Sequence, residues 1–459
     1  MAGILRNRPL LLLAIGLILG LSWREYPWNP LFALPILVAI ADWRKSTPLV
    51  LGLSLGFAFS PSLPKAGLEE AAYLESEARV ATVPRIYPDR ISYIADVQGK
   101  RVAIAETVRA DRSLGDLIRL KGVARPLSEG SEQTMLARGV VARMTPIAVE
   151  SVGQGLQWYR SAAWVRKSFL AYSRSILSAE QAVLLDALCF NVEGGLESDF
   201  EESLRKTGTI HIISASGLHA LVLAWAIDAL LGLLPIPRPA RLAILGVLLA
   251  FYAAAAGLQP AIVRSVVMSM VALSAYLWKR ESDLLSGLAL ASILYLAWEP
   301  LGVYNIGFQF SFLTVAAFAL FGRLTEEPPG TAKASVKETL ASALQTTAVA
   351  YIATLPLLAF YFGAVSLVAV PANMLILPAA MALVALGMGG FVLHFMFPGL
   401  SEILANSLIS PLLAYLESAV GYFGNLRIAS LPLPGFEGYW LLPVYAVLLA
   451  WVREGVRPA

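Results

Sequence analysis

The stretch Val365–Phe397, VSLVAVPANMLILPAAMALVALGMGGFVLHFMF, contains no Asp, Glu, Lys or Arg. An α-helix needs about 20 mostly apolar residues to cross the hydrocarbon core of a bilayer, so this run is long enough to span one. Pro371 and Pro378 interrupt it, and because proline frees backbone carbonyls, a discontinuous or re-entrant helix is expected here. Outward from it, further apolar segments recur at Ile210–Leu234, Ala240–Ala256, Gln259–Trp278, Leu284–Trp298, Val303–Phe321, Leu340–Phe362 and Tyr439–Val452. The chain is 57% hydrophobic and 15% charged, whereas soluble domains carry about 25% charged residues. That balance argues for an α-helical polytopic membrane protein, with the bilayer itself as a partner.

Three more apolar segments open the chain, at Pro9–Leu21, Pro30–Ala41 and Pro48–Leu63. With Arg6 and Arg8 cytoplasmic, the positive-inside bias keeps Arg44 and Lys45 cytoplasmic too, and the segment after the third crossing lies outside. A basic flank and short apolar core also fit a signal peptide. No small-x-small cleavage site comes after them, however, and Trp23, Tyr26 and Trp28 read as an interfacial aromatic belt. Arg238 and Arg241, and then Lys279 and Arg280, fall again on the cytoplasmic side.

Between Ala78 and Pro146 the pattern changes to short alternating runs such as Ile91–Val97 and Val102–Ala105, joined by Gln98-Gly99-Lys100-Arg101. Alternation around a glycine corner predicts a β-hairpin. Gly115–Val123 and Leu136–Ile147 supply further strands, giving roughly five, the size of a small all-β OB-like barrel. This segment holds twelve Lys/Arg against seven acids in a chain whose net charge is only +3. Such a module would guide phosphates, through Arg79, Arg85, Arg90, Lys100, Arg101, Arg109, Arg119 and Lys121; equally, it could be a β domain with a basic surface. Only Tyr87 and Tyr93 stand out there as stacking aromatics, and single-strand binders ordinarily use more.

Over Gly155–Phe190 the period becomes helical. Trp158, Val165, Phe169, Tyr172 and Ile176 share one face and Arg160, Lys167 and Arg174 the other, which predicts a helix lying on the membrane surface. Its cations then face headgroups or a polyanion. An acidic connector with Glu193, Glu197, Asp199, Glu201 and Glu202 comes next.

Polar groups at membrane depth are costly and each is a functional hypothesis. The first cluster is His211, Ser214, Ser216, Gly217 and His219. Both serines face one lumen only if the helix unwinds near Gly217; otherwise the hydroxyls bond back to their own helix. Arg264 either snorkels to the interface or forks onto phosphate in a polar path. Asn305 and Gln309, one turn apart and followed by Ser311, either glue helices or line a conduit. Asn373, between Pro371 and Pro378, completes the set.

The run GTIHIISASGLHAL from Gly208, Arg264 within AIVRSVVMSM, the KRESD turn, GFQFSF and PANMLILP resemble, in order and context, the ComEC family of competence DNA-uptake channels. The resemblance covers nearly the whole chain. It implies N-terminal transmembrane helices over 1–65, an extracytoplasmic OB-like domain over 66–150, an amphipathic helix and acidic connector over 151–206, and a transmembrane channel domain over 207–459. It implies an inner-membrane path for single-stranded DNA, served by a separate cytoplasmic motor and a separate DNA receptor or nuclease. Many members also carry a metallo-β-lactamase-like domain. No His-x-His-x-Asp-His cluster is found here, so nuclease activity is not expected.

With one cysteine, Cys189, and three histidines, no metal site and no cofactor are expected, and the absence of a Walker-type loop leaves the energy source to another protein. Two rival functions remain. One is a small-solute transporter, for which inverted repeats would be the sign. The other is an intramembrane serine hydrolase built on Ser216 and His219, which would need a base within about 3 Å of the hydroxyl.

Overall fold

In the computed structural model the described residues are 9–22, 43–58, 68–87, 90–107, 111–127, 132–136, 138–192, 195–213, 217–277, 283–321, 336–441 and 443–445. Contacts divide the chain into two units. The first comprises 1–171, 190–195 and 223–309, and the second 172–189, 196–222 and 310–459. Among the described residues, four helices are long and apolar enough to cross a membrane: Arg238–Ala255, Leu344–Phe362, Ala369–Met396 and Pro398–Gly424.

In the first unit, α1 (Pro9–Ser22) and α2 (Trp43–Ala58) each carry a Gly-x-x-x-Gly spacing, Gly16 with Gly20 and Gly52 with Gly56. Small residues let membrane helices approach at the backbone. A Cβ built at Gly16 would stand 2.1 Å from the Leu49 carbonyl oxygen, and one at Gly52 would stand 2.2 Å from that of Leu13. Gly56 in turn meets Leu17, Gly20 and Leu21. Position rises together along both helices, so α1 and α2 run parallel. The crossing expected at Pro30–Ala41 lies outside the described residues.

The β domain comes next. Its strands are β1 (Ala72–Val80), β2 (Arg85–Ile86), β3 (Arg90–Val97), β4 (Lys100–Thr107), β5 (Leu117–Arg125) and, after the short helix α3 (Glu132–Leu136), β6 (Val140–Gly153). The sheet order is β1-β5-β6-β4-β3-β2, with β4 and β6 parallel. β1 also touches β3, but only over Arg79–Asp96 and Val80–Ala95. The sheet therefore curls into a partly open barrel of OB-like form. Gln98 and Gly99 both have positive φ, 52° and 82°, as a two-residue hairpin turn with the right twist requires. Ala78, Tyr93, Ile104, Ile118, Leu120 and Met144 fill the interior. The strands begin at Ala72 and end at Gly153, wider than the basic stretch that announced them.

Three helices pack together in the same unit: α8 (Arg238–Ala255), α9 (Pro260–Leu277) and α10 (Leu284–Trp298). Between α10 and α11 (Ile306–Phe321) lies a 3-10 turn, Pro300–Tyr304. The helix α4 (Gln157–Ile176) forms as expected.

The second unit contains α5 (Ala179–Phe190), α6 (Ser198–Lys206), the start of α7 (Gly217–Gly232), α12 (Val336–Phe362), β7 (Ala364–Ser366), α13 (Ala369–Met396), α14 (Pro398–Leu404), α15 (Ser410–Gly424) and β8 (Ser430–Pro432). Here the structure departs from expectation twice. The run from Val365 is not broken in its middle: α13 is helical throughout, with Pro378 inside it. Pro371 falls in its first turn, where no backbone bond is lost. The interruption comes earlier, at β7, which pairs with β8. The second departure is an additional span, Pro398–Gly424, whose α14 and α15 are joined by a π-turn at Ala405–Ile409. Glu402 and Glu417 punctuate its sequence and hid it as a membrane crossing.

Candidate functional site

On the outer face of the β domain, cations and acids alternate by strand. Arg119 donates to Glu77 at 2.9 Å and Lys121 pairs with Glu75 at 2.8 Å, both from β5 to β1. Arg101 makes a forked bond to Glu299 at 3.0–3.1 Å and also donates to the Arg138 carbonyl. It therefore clamps the barrel to the end of α10. Arg90 lies 5.0 Å from the centre of the Tyr87 ring. Arg79 and Lys100 are exposed, Arg85 is half-buried, and Arg109 lies outside the described residues.

The aromatic expectation needs correction. Tyr93 is 2% exposed, and its hydroxyl donates to Glu106 at 2.9 Å, inside a cluster that Arg112 closes with bonds to the same carboxylate. Burial pushes its phenol up, so it is a structural residue. Tyr87 sits under Arg90. The aromatic that is open is Tyr73, 65% exposed on β1.

α4 is fixed at its start by Asp116, a buried carboxylate that accepts from the Ser113 and Gly155 amides at 2.8 and 2.6 Å. Arg160 approaches Asp116 at 3.6 Å, and Lys167 binds Asp111, whose carboxyl this bond holds below the usual range. An open groove of about 350 Å³ lies between, lined by Asp111, Arg160, Trp164 and Lys167. Arg174 stands 3.9 Å from the buried Asp186. The expected membrane-dipping aromatics are corrected too. Phe169 packs on Phe190 at 4.8 Å and Tyr172 on Phe391 at 5.7 Å, both inside the protein. Trp164, 62% exposed, and Trp158, 41% exposed, are the tryptophans of this helix that face outward. Arg166, on the same helix, was missed in the sequence: it is 6% exposed, its Nε has no partner, and burial pulls it down to about 10.

In the second unit, the motif that begins at Gly208 is not one continuous helix. Ile210–Ile212 is a 3-10 turn and α7 starts at Gly217. Gly208 has φ +70°, and a Cβ there would meet Ala369 at 3.1 Å and Ser366 at 3.2 Å. The Gly208 end of the motif thus packs against the start of α13. Thr207 and Thr209, both fully buried, share a 2.7 Å hydroxyl bond, and His211 Nδ1 lies 3.1 Å from the Gly208 carbonyl. Asn373 donates to the Ala369 carbonyl at 2.8 Å, but its Oδ1, in a side chain 8% exposed, has no hydrogen-bond partner. Ser214 and Ser216 lie outside the described residues, as does the His219 side chain, so the expectations resting on them go no further.

In the first unit, Asn305 is not part of a helical pair with Gln309. It precedes α11 and caps it, accepting from the Gly307 amide at 2.8 Å, while Gln309 donates to the Val303 carbonyl at 3.1 Å. Both brace the 3-10 turn. Ser311 lies in α11. Arg264, in the second turn of α9, has Nη1 4.0 Å from the Met268 sulfur.

The family model for competence proteins matches residues 188–457, more than half of the chain. The chain belongs to the competence protein family. It is similar to ComE operon protein 3 of Bacillus subtilis (strain 168), 26% identical over 214 residues that cover 47% of this chain and 26% of that protein. It is also similar to the competence protein ComA of Neisseria gonorrhoeae, 34% identical over 200 residues, 40% of this chain and 28% of that protein. The match thus spans just over a quarter of the length of each relative. No solved structure matches. The competence-family region holds all four polar clusters, while the β domain precedes it.

Proposed function

We propose that this competence-family chain forms the inner-membrane path by which single-stranded DNA reaches the cytoplasm, with the β domain outside as a guide for the strand. The observation that carries the reading is the unwound segment Thr207–Ile213, which packs through Gly208 on Ala369 at the start of α13, the helix that also carries the unsatisfied Asn373 Oδ1 one turn further on. Irregular backbone and unpaired polar atoms among apolar helices are tolerated where they line a cavity. A polyanion needs such a polar lining, and a strand of bases supplies donors for the free oxygen.

The side on which the β domain lies is argued from three observations. Arg6 and Arg8 precede α1 and favour a cytoplasmic start, which puts the Ser22 end of α1 outside. The Tyr304 hydroxyl bonds the Leu21 carbonyl at 3.3 Å, so the 3-10 turn after α10 shares that side. Arg101 binds Glu299 at the same turn, which brings the barrel with it.

The test is uptake of labelled DNA by competent cells carrying Asn373→Leu at unchanged protein level. Internalised single strand is expected to fall at least about ten-fold, with DNA still bound at the surface. Full uptake by this variant would remove Asn373 from the path and, with it, the observation on which the reading stands.

A further inference from the structure

The outer face of the barrel is neutralised at one end and not at the other. Along β5, Arg119 and Lys121 each have a glutamate from β1. Arg125, next on the same face, has no acid: the residue directly opposite it on β6 is Arg143. Both are exposed, and among the described residues neither is ion-paired. Like charges directly across an antiparallel pair are destabilising, so this +2 patch is a feature that folding alone does not favour.

Beside it stands Tyr73, which pairs with Val123, two residues before Arg125 on the same face. Tyr73 also borders a groove of about 240 Å³ at the open mouth of the barrel, floored by Val97, Val102, Ala124 and Ala142, with the exposed Lys100 on its rim. An apolar slot, an open aromatic ring and three cations without carboxylate partners among the described residues therefore converge at one end of the β domain. Adjacent strands lie about 4.8 Å apart, so Arg125 and Arg143 start one strand apart and can hold one phosphate together or two in succession.

Resting on the DNA-handling reading above, we propose that the barrel mouth is a single-strand docking site. One unstacked base enters the groove against Tyr73, and Lys100, Arg125 and Arg143 hold the flanking phosphates. Duplex DNA presents no free base face and is excluded from the groove. Bases of any identity offer a π-face, so the site is indifferent to sequence.

The experiment uses the full-length protein in lipid nanodiscs and a fluorescent oligothymidylate titrated at several salt concentrations. Tyr73→Ala should weaken binding about ten-fold, Tyr73→Phe should restore it, and an abasic oligonucleotide should bind the wild type as weakly as the intact one binds Tyr73→Ala. Arg125→Glu with Arg143→Glu should lower the slope of log affinity against log salt by about two, one for each phosphate that is no longer held. Unchanged melting of each variant shows that the barrel persists, as expected for exposed side chains. If the wild type binds the strand and the Tyr73 variants bind equally well, the site is wrong while the DNA reading stands. If the wild type binds no strand at low salt, both fall. If the arginine variant loses only binding to phosphatidylglycerol vesicles, the patch is a lipid contact and the proposal is overturned.

Discussion

A guanidinium in the second turn of an apolar helix reaches either the headgroups or a polar path, and Arg264 faces that choice in α9. Arg264→Leu removes a group that costs about 2.5–3.5 kcal/mol at helix centre on insertion scales, so the protein should remain inserted and abundant. If Arg264 lines the path, DNA uptake drops by about ten-fold or more, and Arg264→Lys recovers only part of it because an ammonium lacks the fork. Full uptake by the leucine variant, measured with labelled DNA, returns Arg264 to snorkelling. Asp186 gives a pH test. Burial raises its carboxyl from 3.8 to about 7, against the hydrogen bond from Ser173 and the charge of Arg174. Between those two values the folded protein holds the proton that the unfolded chain has released, so stability falls as pH rises from about 4 to about 7. Asp186→Asn should melt like the wild type near pH 4 and several degrees later at pH 8; equal melting at pH 8 would place the carboxylate in a solvated setting. Neither Asp186 nor Asn373 Oδ1 could be singled out from sequence as an unsatisfied acceptor, because satisfaction is a property of neighbours brought from elsewhere. The arginines of β5 and β6 were legible as charge, but which were neutralised depended on strand register.

At the level of elements, hydrophobic period carried most of the reading. The helices α8 to α11 fall within a few residues of the segments expected, since a lipid-facing helix must be apolar along its length. The hairpin at Gln98-Gly99 was equally plain, because its turn demands positive φ at both residues. What failed was anything decided by partners. Pro398–Gly424 carries acids that a packed or interfacial helix tolerates, and the aromatic face of α4 is not a lipid face, because Phe169 and Tyr172 are inside the protein. The Gly-x-x-x-Gly spacings in α1 and α2 went unread, yet they let the two helices meet backbone to backbone. Gly52→Leu would force a side chain into the Leu13 carbonyl, and overpacking of this kind costs about 1–3 kcal/mol. The expected result is a lower melting temperature and reduced membrane levels, with Gly52→Ala less affected; wild-type melting of the leucine variant would show that α1 and α2 do not touch at Gly52. The cations of α4 have a related double role. Neutralising Arg160 and Lys167 removes two bridges to the β domain, of which the exposed Lys167–Asp111 pair is worth about 0.2–1 kcal/mol, so a fall in stability should accompany any loss of DNA binding. Wholesale unfolding of that variant would make this face structural alone.

For the molecule as a whole, everything proposed about DNA depends on which side of the membrane the barrel occupies. Cys189 is fully buried and burial pushes its thiol up, so the native chain is close to silent toward a maleimide. A single cysteine placed at Gln98, the exposed tip of the β3–β4 hairpin, therefore reports on the barrel without a background. A second, at the exposed Leu234 between α7 and α8, reports on the turn that precedes Arg238 and Arg241. If the positive-inside bias and the Arg101–Glu299 clamp both hold, a membrane-impermeant maleimide labels Gln98→Cys in intact spheroplasts and labels Leu234→Cys only after permeabilisation. The clamp then makes a further demand. Glu299→Gln leaves Arg101 without its charge partner, so the hairpin should become more open to protease while staying on the same face. Labelling of Gln98→Cys only after permeabilisation would put the barrel in the cytoplasm, where it would meet DNA after transport rather than before, and the guide role would have to be abandoned.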